Sequence, residues 1–220
     1  MPCFNGLVTD VSPRPAGRRA RASSEGTRER IVQAAIELFA ERSFEGASTR
    51  ELAARARVAQ PLLQYHFQSK DDLWRAAVDR IFDQLTRAMS ERLASIDDPT
   101  STAFAKVMIR EFITFSSRNP QLHRIITQEC KTDGPRMDYV VDTHVRPIYE
   151  QAVRMFDRLV LAGDVPPIPS AHLYYILTGA GPTLFVLGPE CRRLTGLDPT
   201  DDDVIEAHVD AVCRLLFGEP

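Results

Sequence analysis

The sequence predicts an all-α protein: a group of short helices near the N-terminus, then a bundle of longer ones. Two observations predict it. Apolar residues recur at spacings of three and four, the period of a helix with one buried stripe. No alternating run is bounded by hairpin turn residues, so no half-buried strand is indicated. With 220 residues, 44% of them hydrophobic, the chain holds enough apolar material for a substantial core. No run approaches the roughly 18 apolar residues of a membrane span, so no membrane partner is expected.

The elements follow in order. Thr27 is placed to cap a first helix over 27–42, with Ile31, Ala35, Leu38 and Phe39 as its stripe. Ser48 and Thr49 open a short helix over 49–56, with Leu52 and Ala53 inward. A tight turn at Arg57-Val58 leads to a third helix over 60–67. Ser69 caps a fourth, with Asp72 three residues on as an acidic variant of the capping box; Leu73, Ala77 and Ile81 continue its stripe. Residues 95–100 break the pattern. Helices over 101–118, 120–131 and 136–162 come next, the third kinked or split by Pro147. Pro166, Pro167 and Pro169 mark a loop. A helix over 170–187, bent by Gly179-Ala180-Gly181-Pro182, and an amphipathic helix over 201–217 close the chain.

Charge is unevenly distributed. The formal net charge is −3, yet residues 1–75 hold 12 Lys and Arg against 9 Asp and Glu, and the remainder 15 against 21. The positive end is thickened by Arg14, Arg18, Arg19 and Arg21, within a 1–26 segment that reads as a disordered basic arm with no apolar core of signal-peptide length. A cytoplasmic protein is expected. Cys3, Cys130, Cys191 and Cys213 form no C-x-x-C pair and read as free thiols.

Residues 49–67 have the spacing of a helix-turn-helix, whose second helix enters the DNA major groove. Spacing alone leaves an ordinary helical hairpin as an equal alternative. The residues then add a resemblance. TRERIVQAAIELFAER followed by STRELAARARVAQPLLQYHFQSKDDLW is similar to the N-terminal domain of the TetR (tetracycline repressor-like) family, over residues 27–75. That resemblance implies a DNA-binding domain at 27–75 and a ligand-binding and dimerisation domain at 76–220. It implies phosphate contacts by Thr49 and Arg50 at the start of the second helix, and by Tyr65, His66 and Lys70. It puts Gln60, Pro61, Leu62 and Gln64 on the front of the recognition helix. There glutamine amides suit adenine edges, and Pro61 and Leu62 offer apolar contact. Three positions depart from the family's pattern: Ser43 and Arg57 stand where glycines are usual, and Ala59 replaces a hydroxylated N-cap. Gln64, where an aromatic is frequent, alters what the helix reads.

The C-terminal part offers Phe104, Met108, Phe112, Phe115, Tyr139, Tyr149, Phe156 and Tyr174 as candidate lining of an apolar ligand pocket; plain core is the competing reading. The last two long helices offer Gly179, Gly181, Val204, His208, Val212 and Leu215 for isologous pairing as a homodimer. His123, Cys130, Asp133 and His144 lack the spacing of a zinc site, so no metal and no cofactor are expected. No nucleophile elbow, phosphate loop or metal motif is present, and no enzyme is expected. The expected protein is a dimeric repressor, released from a palindromic double-stranded DNA operator by a small apolar effector. The alternatives are an activator, a regulator without an effector, or a helical interaction module that has lost DNA binding.

Overall fold

The computed structural model describes residues 16–93, 96, 98 and 100–218. Among these every regular element is a helix: α1 Ala16–Gly46, α2 Thr49–Arg55, α3 Gln60–His66, α4 Lys70–Leu93, α5 Thr102–Arg118, α6 Pro120–Glu129, α7 Pro135–Val140, a π-helical turn Val141–Val145, α8 Arg146–Ala162, α9 Ser170–Val186, α10 Gly188–Thr195 and α11 Asp202–Phe217. None is long and apolar enough to cross a membrane.

Two expectations for the N-terminus change. Helix α1 begins at Ala16, not Thr27, so Thr27 does not cap it and residues 16–26 of the expected disordered arm are helical. That stretch is rich in alanine and arginine, which favour helix, and holds no proline. Residues 1–15, with Arg14 and Cys3, lie outside the described residues. At its other end α1 is regular only to Arg42, because Ser43 takes φ 61, ψ 175.

The core forms two adjoining clusters. The first gathers Ile31, Leu38 and Phe39 of α1, Leu52 of α2, Leu63 of α3, Trp74 and Ile81 of α4 and Leu122 of α6. The second joins α5, α8, α9 and α11 through Ile109, Ile113, Phe156, Leu173 and Val209. Phe112 touches both. The N-terminal helices therefore share one core with α4 and α6, and a shift of either reaches them.

The 136–162 segment is not one helix. The π turn at Val141–Val145 divides it immediately before Pro147, which occupies the first turn of α8. A proline ring clashes with the carbonyl four residues back and donates no hydrogen bond; a wide turn there removes the conflict. Pro182 stays inside α9, as its neighbouring glycines permit.

The turn between α2 and α3 is built from hydrogen bonds that close α2 as a Schellman motif. Val58 N–H donates to Ala53 O at 3.0 Å and Arg57 N–H to Ala54 O at 3.1 Å. Arg57 sits in the position usually given to glycine, at φ 55. An L-residue with a side chain is strained there by about 1 kcal/mol. Arg57→Gly is expected to raise unfolding stability by about 0.5–1 kcal/mol, less than the full strain because glycine also gains freedom in the unfolded chain. Denaturant titration checks it; a lowered midpoint would show that Arg57 makes a compensating contact.

Candidate nucleic-acid interface

The reading surface is α3. Leu63 and Phe67 are buried and anchor it to the first core. A residue pair four apart takes one side of so short a helix, leaving the other side free. Pro61 and Tyr65 lie opposite that pair and Gln60 and Gln64 flank it; all four are exposed, Tyr65 to 80%, and Leu62 is marginally so. His66 is half-buried with its ring edge-on to Tyr65 at 5.3 Å. Ala59 supplies no side-chain cap, and proline in the first turn removes one of the unbonded amides.

Helix α2 carries Thr49, half-buried, and Arg50, exposed. Its N-terminus is closed by a capping box the sequence reading did not assign. Ser48 Oγ accepts from Glu51 N–H at 3.2 Å, and Ser48 N–H donates to Glu51 Oε2 at 3.3 Å. One helix-end amide is thus already taken. The hydrogen bonds from Ser48 hold the Glu51 carboxyl below the usual carboxylate range, and Arg42 pairs with it at 2.5 Å. Arg55 grips Glu41 of α1 through two bonds of 2.7 Å, which ties α2 to α1 and holds the Glu41 carboxyl below the usual carboxylate range. Lys70 opens α4 with its ammonium over the Phe44 ring, 4.3 Å from the centroid. The expected reciprocal cap is present: Asp72 N–H donates to Ser69 Oγ at 3.0 Å, and Ser69 N–H to Asp72 Oδ2 at 3.1 Å.

The candidate pocket residues are not gathered around one space. Phe115 (7% exposed) and Phe156 (0%) are core, in different clusters. Phe104, Met108 and Phe112 are half-buried along α5. Tyr139 packs on Trp74 and donates to Asp79 Oδ1 at 2.6 Å, an acceptor shared with His144 Nε2 at 2.9 Å. Tyr149 and Tyr174 meet edge-to-face at 5.0 Å, and burial pushes the Tyr174 hydroxyl up to about 12. Surface depressions of about 460 and 420 Å³ lie by the 163–170 loop, lined by residues such as Val160, Pro166, Pro167 and Phe217, with none of these aromatics.

The candidate dimer residues also divide. Gly181 is buried, and a Cβ there would stand 3.1 Å from Ile113 Cγ1; its smallness serves the approach of α9 to α5, not an outer face. Val212 is buried and Val204 half-buried. His208 Nε2 lies 3.0 Å from Gly181 O and 3.2 Å from Ala180 O, tying α11 to the bend in α9. Gly179 and Leu215 are exposed. Also exposed are Tyr175, Ile176, Ala180 and Leu187 of α9 and Ala207 and Ala211 of α11; of these, Tyr175, Ile176, Leu187 and Ala207 were not singled out from the sequence, because burial by partner helices is invisible in a periodic pattern.

A short buried-backed helix with an exposed outer side, set by a Schellman turn on a second helix and joined through a shared core to a helical bundle, defines a helix-turn-helix regulator of transcription. The match to known proteins agrees. Residues 31–77 fit the family described as bacterial regulatory proteins, tetR family. The HTH-type transcriptional repressor Rv3405c of Mycobacterium tuberculosis is 30% identical over 211 residues, covering 95% of this chain and 96% of that protein. RutR, an HTH-type transcriptional regulator of Escherichia coli, is 23% identical over 210 residues, 96% of this chain and 97% of its own. The chain belongs to the TetR family. Among solved structures, AibR in complex with isovaleryl coenzyme A and operator DNA has the same fold at a TM-score of 0.70, with 19% identity, 87% of this chain and 98% of its own covered.

Proposed function

We propose that this regulator is a homodimeric, ligand-responsive repressor acting in the cytoplasm. The observation that carries the reading is the outer side of α3, where Gln60, Pro61, Gln64 and Tyr65 stand together over a buried anchor. In this reading Gln60 and Gln64 address base edges, adenine above all, and Pro61 and Leu62 make apolar contact. Thr49, Arg50, Tyr65, His66 and Lys70 hold phosphates and set the docking angle. The outer sides of α9 and α11, with Gly179 and Leu215, pair with a second copy about a two-fold axis. The half-buried aromatics of α5, α8 and α9, Tyr149 and Tyr174 among them, come together around a small apolar effector when the bundle opens. AibR supports the pairing of a ligand site and a DNA site in one chain of this fold, since it is seen with both isovaleryl coenzyme A and operator DNA.

Repression would then be a two-state matter. The effector binds a bundle arrangement in which the recognition helices no longer match the operator half-sites, and DNA binds the other. Effector and operator must weaken each other by the same factor. A second reading, activation, draws on FasR of Mycolicibacterium smegmatis, named an activator and 31% identical over 135 residues, 60% of this chain and 57% of its own.

A footprint on the DNA upstream of its own gene tests the proposal. Protection of two inverted half-sites, centred a whole number of helical turns apart, and a fall in transcription from that promoter are expected. Protection with a rise in transcription selects activation. No sequence-dependent protection overturns both.

A further inference from the structure

We infer that Arg136, which belongs to the C-terminal bundle, is a positioning residue for DNA binding: it holds Phe44 and Glu45 at the end of α1, and through Phe44 seats Lys70. The inference rests on the reading of Lys70 as a phosphate contact.

The chain of contacts begins at Ser43. Its φ 61, ψ 175 is a backbone state that glycine adopts freely and other residues only under constraint. The turn it makes sends Phe44 inward, to 8% exposure, and leaves Glu45 outside. The Phe44 ring stacks on Phe39 and meets the edge of Trp74. Two cations lie over it: Lys70 Nζ at 4.3 Å and the Arg136 guanidinium at 3.9 Å. An aromatic face attracts both. Arg136 is held in turn by carboxylates from two helices. Its Nη2 donates to Glu45 Oε1 at 2.9 Å, and its Nε to Glu129 Oε2 at 2.8 Å. The Glu129 side chain is only 9% exposed, so this bond is shielded from water. A planar fork with several donors can serve a ring and two acids at once; a lysine ammonium cannot do so in one plane.

One guanidinium thus ties the ends of α1 and α6 to α7. Its neighbour on α6 reinforces the joint, Gln128 Nε2 donating to Ala40 O at 3.1 Å. Lysine is a long, flexible side chain, and a phosphate contact needs its ammonium in a defined place. The Phe44 ring provides that place, and Arg136 holds the ring. Movement of α6 or α7 draws Arg136 away and unseats Lys70. The state of the bundle reaches a DNA contact by this route without any change in the recognition helix.

The test is equilibrium binding of the full-length protein to the promoter fragment found by footprinting, over a range of salt. Arg136→Ala is expected to bind about tenfold more weakly, with the slope of log affinity against log salt shallower by about one, the loss of one phosphate contact. Lys70→Ala is expected to do the same, and the double variant little more than either alone. Glu45→Gln separates the proposal from simple charge and from a folding defect. Glu45 is 79% exposed, so its replacement spares the core. Removing an acid from a DNA-binding surface strengthens binding by charge alone, whereas loss of the clamp weakens it, and weakening is expected. Affinity unchanged or increased in Glu45→Gln, or effects of Arg136→Ala and Lys70→Ala that add in full, overturn the role of Arg136. Lys70→Ala binding like the parent overturns the phosphate reading of Lys70 itself.

Discussion

Replacing Gln60 and Gln64 together by alanine is expected to lower the preference for operator over unrelated DNA by about a hundredfold, since each glutamine–base contact contributes on the order of 1–3 kcal/mol of discrimination. Both side chains are exposed on α3, so the variant should keep its helix content and its unfolding midpoint. Non-specific binding should also persist, because it comes from phosphate contacts and counterion release elsewhere on the head. The signature is a selective loss: operator affinity falls toward that for unrelated DNA, and the salt slope is kept. Competition binding with operator and scrambled duplexes measures it. Unchanged preference in the double variant would mean that α3 does not read the bases.

The second large effect concerns acid. His123 on α6 is half-buried beside α5; its Nε2 lies 2.8 Å from Ser116 Oγ, and its ring is edge-on to Phe112. Ser116 Oγ donates to Phe112 O at 2.7 Å, so the hydroxyl accepts from His123 Nε2–H. Burial lowers the His123 pKa from 6.5 to about 4. A base whose folded pKa lies below its unfolded value makes the unfolded state bind more protons between the two. Stability should therefore be full above pH 6.5 and decline as the pH falls toward 4, by up to about 3 kcal/mol. His123→Gln keeps an N–H for Ser116 and removes the titration. Its stability should be flat over that window, and the parent's should slope. The carboxylates held low by partners, Glu41 and Glu51, lose their contribution as the pH falls below about 4.5 in parent and variant alike, so the difference between the two profiles isolates His123. Parallel pH profiles for parent and variant would exclude His123 as the source.

Much of the fold was legible in the chain because local signals and burial agree there. The stripe Ile31, Ala35, Leu38, Phe39 is buried as its spacing requires, and Leu63 and Phe67 anchor α3 as their positions predict. Ser69 and Asp72 cap α4 through a bond pattern that spacing alone announces. The departures at Ser43 and Arg57 proved informative: both take positive φ, so the backbone keeps the shape a glycine would have given and the side chains bear the strain. Legibility was weaker where the local signal had competitors. Alanine and arginine carried α1 back to Ala16 through residues that looked like a tail. Pro147 announced a kink or a split, and which of the two was open until the structure showed a π turn just before it.

Periodicity, caps and turn chemistry were enough to define an all-helical chain with a helix-turn-helix near its start, because each acts within a few residues along the backbone. Which aromatic residue is core and which half-buried, that Gly181 packs against Ile113 rather than outward, and that Arg136 meets Phe44, Glu45 and Glu129 are decided only by tertiary packing. These contacts join residues far apart in sequence. A side chain carries no local mark of the distant surface it meets, whether the reading helix at residues 60–66 or the joint that steadies it.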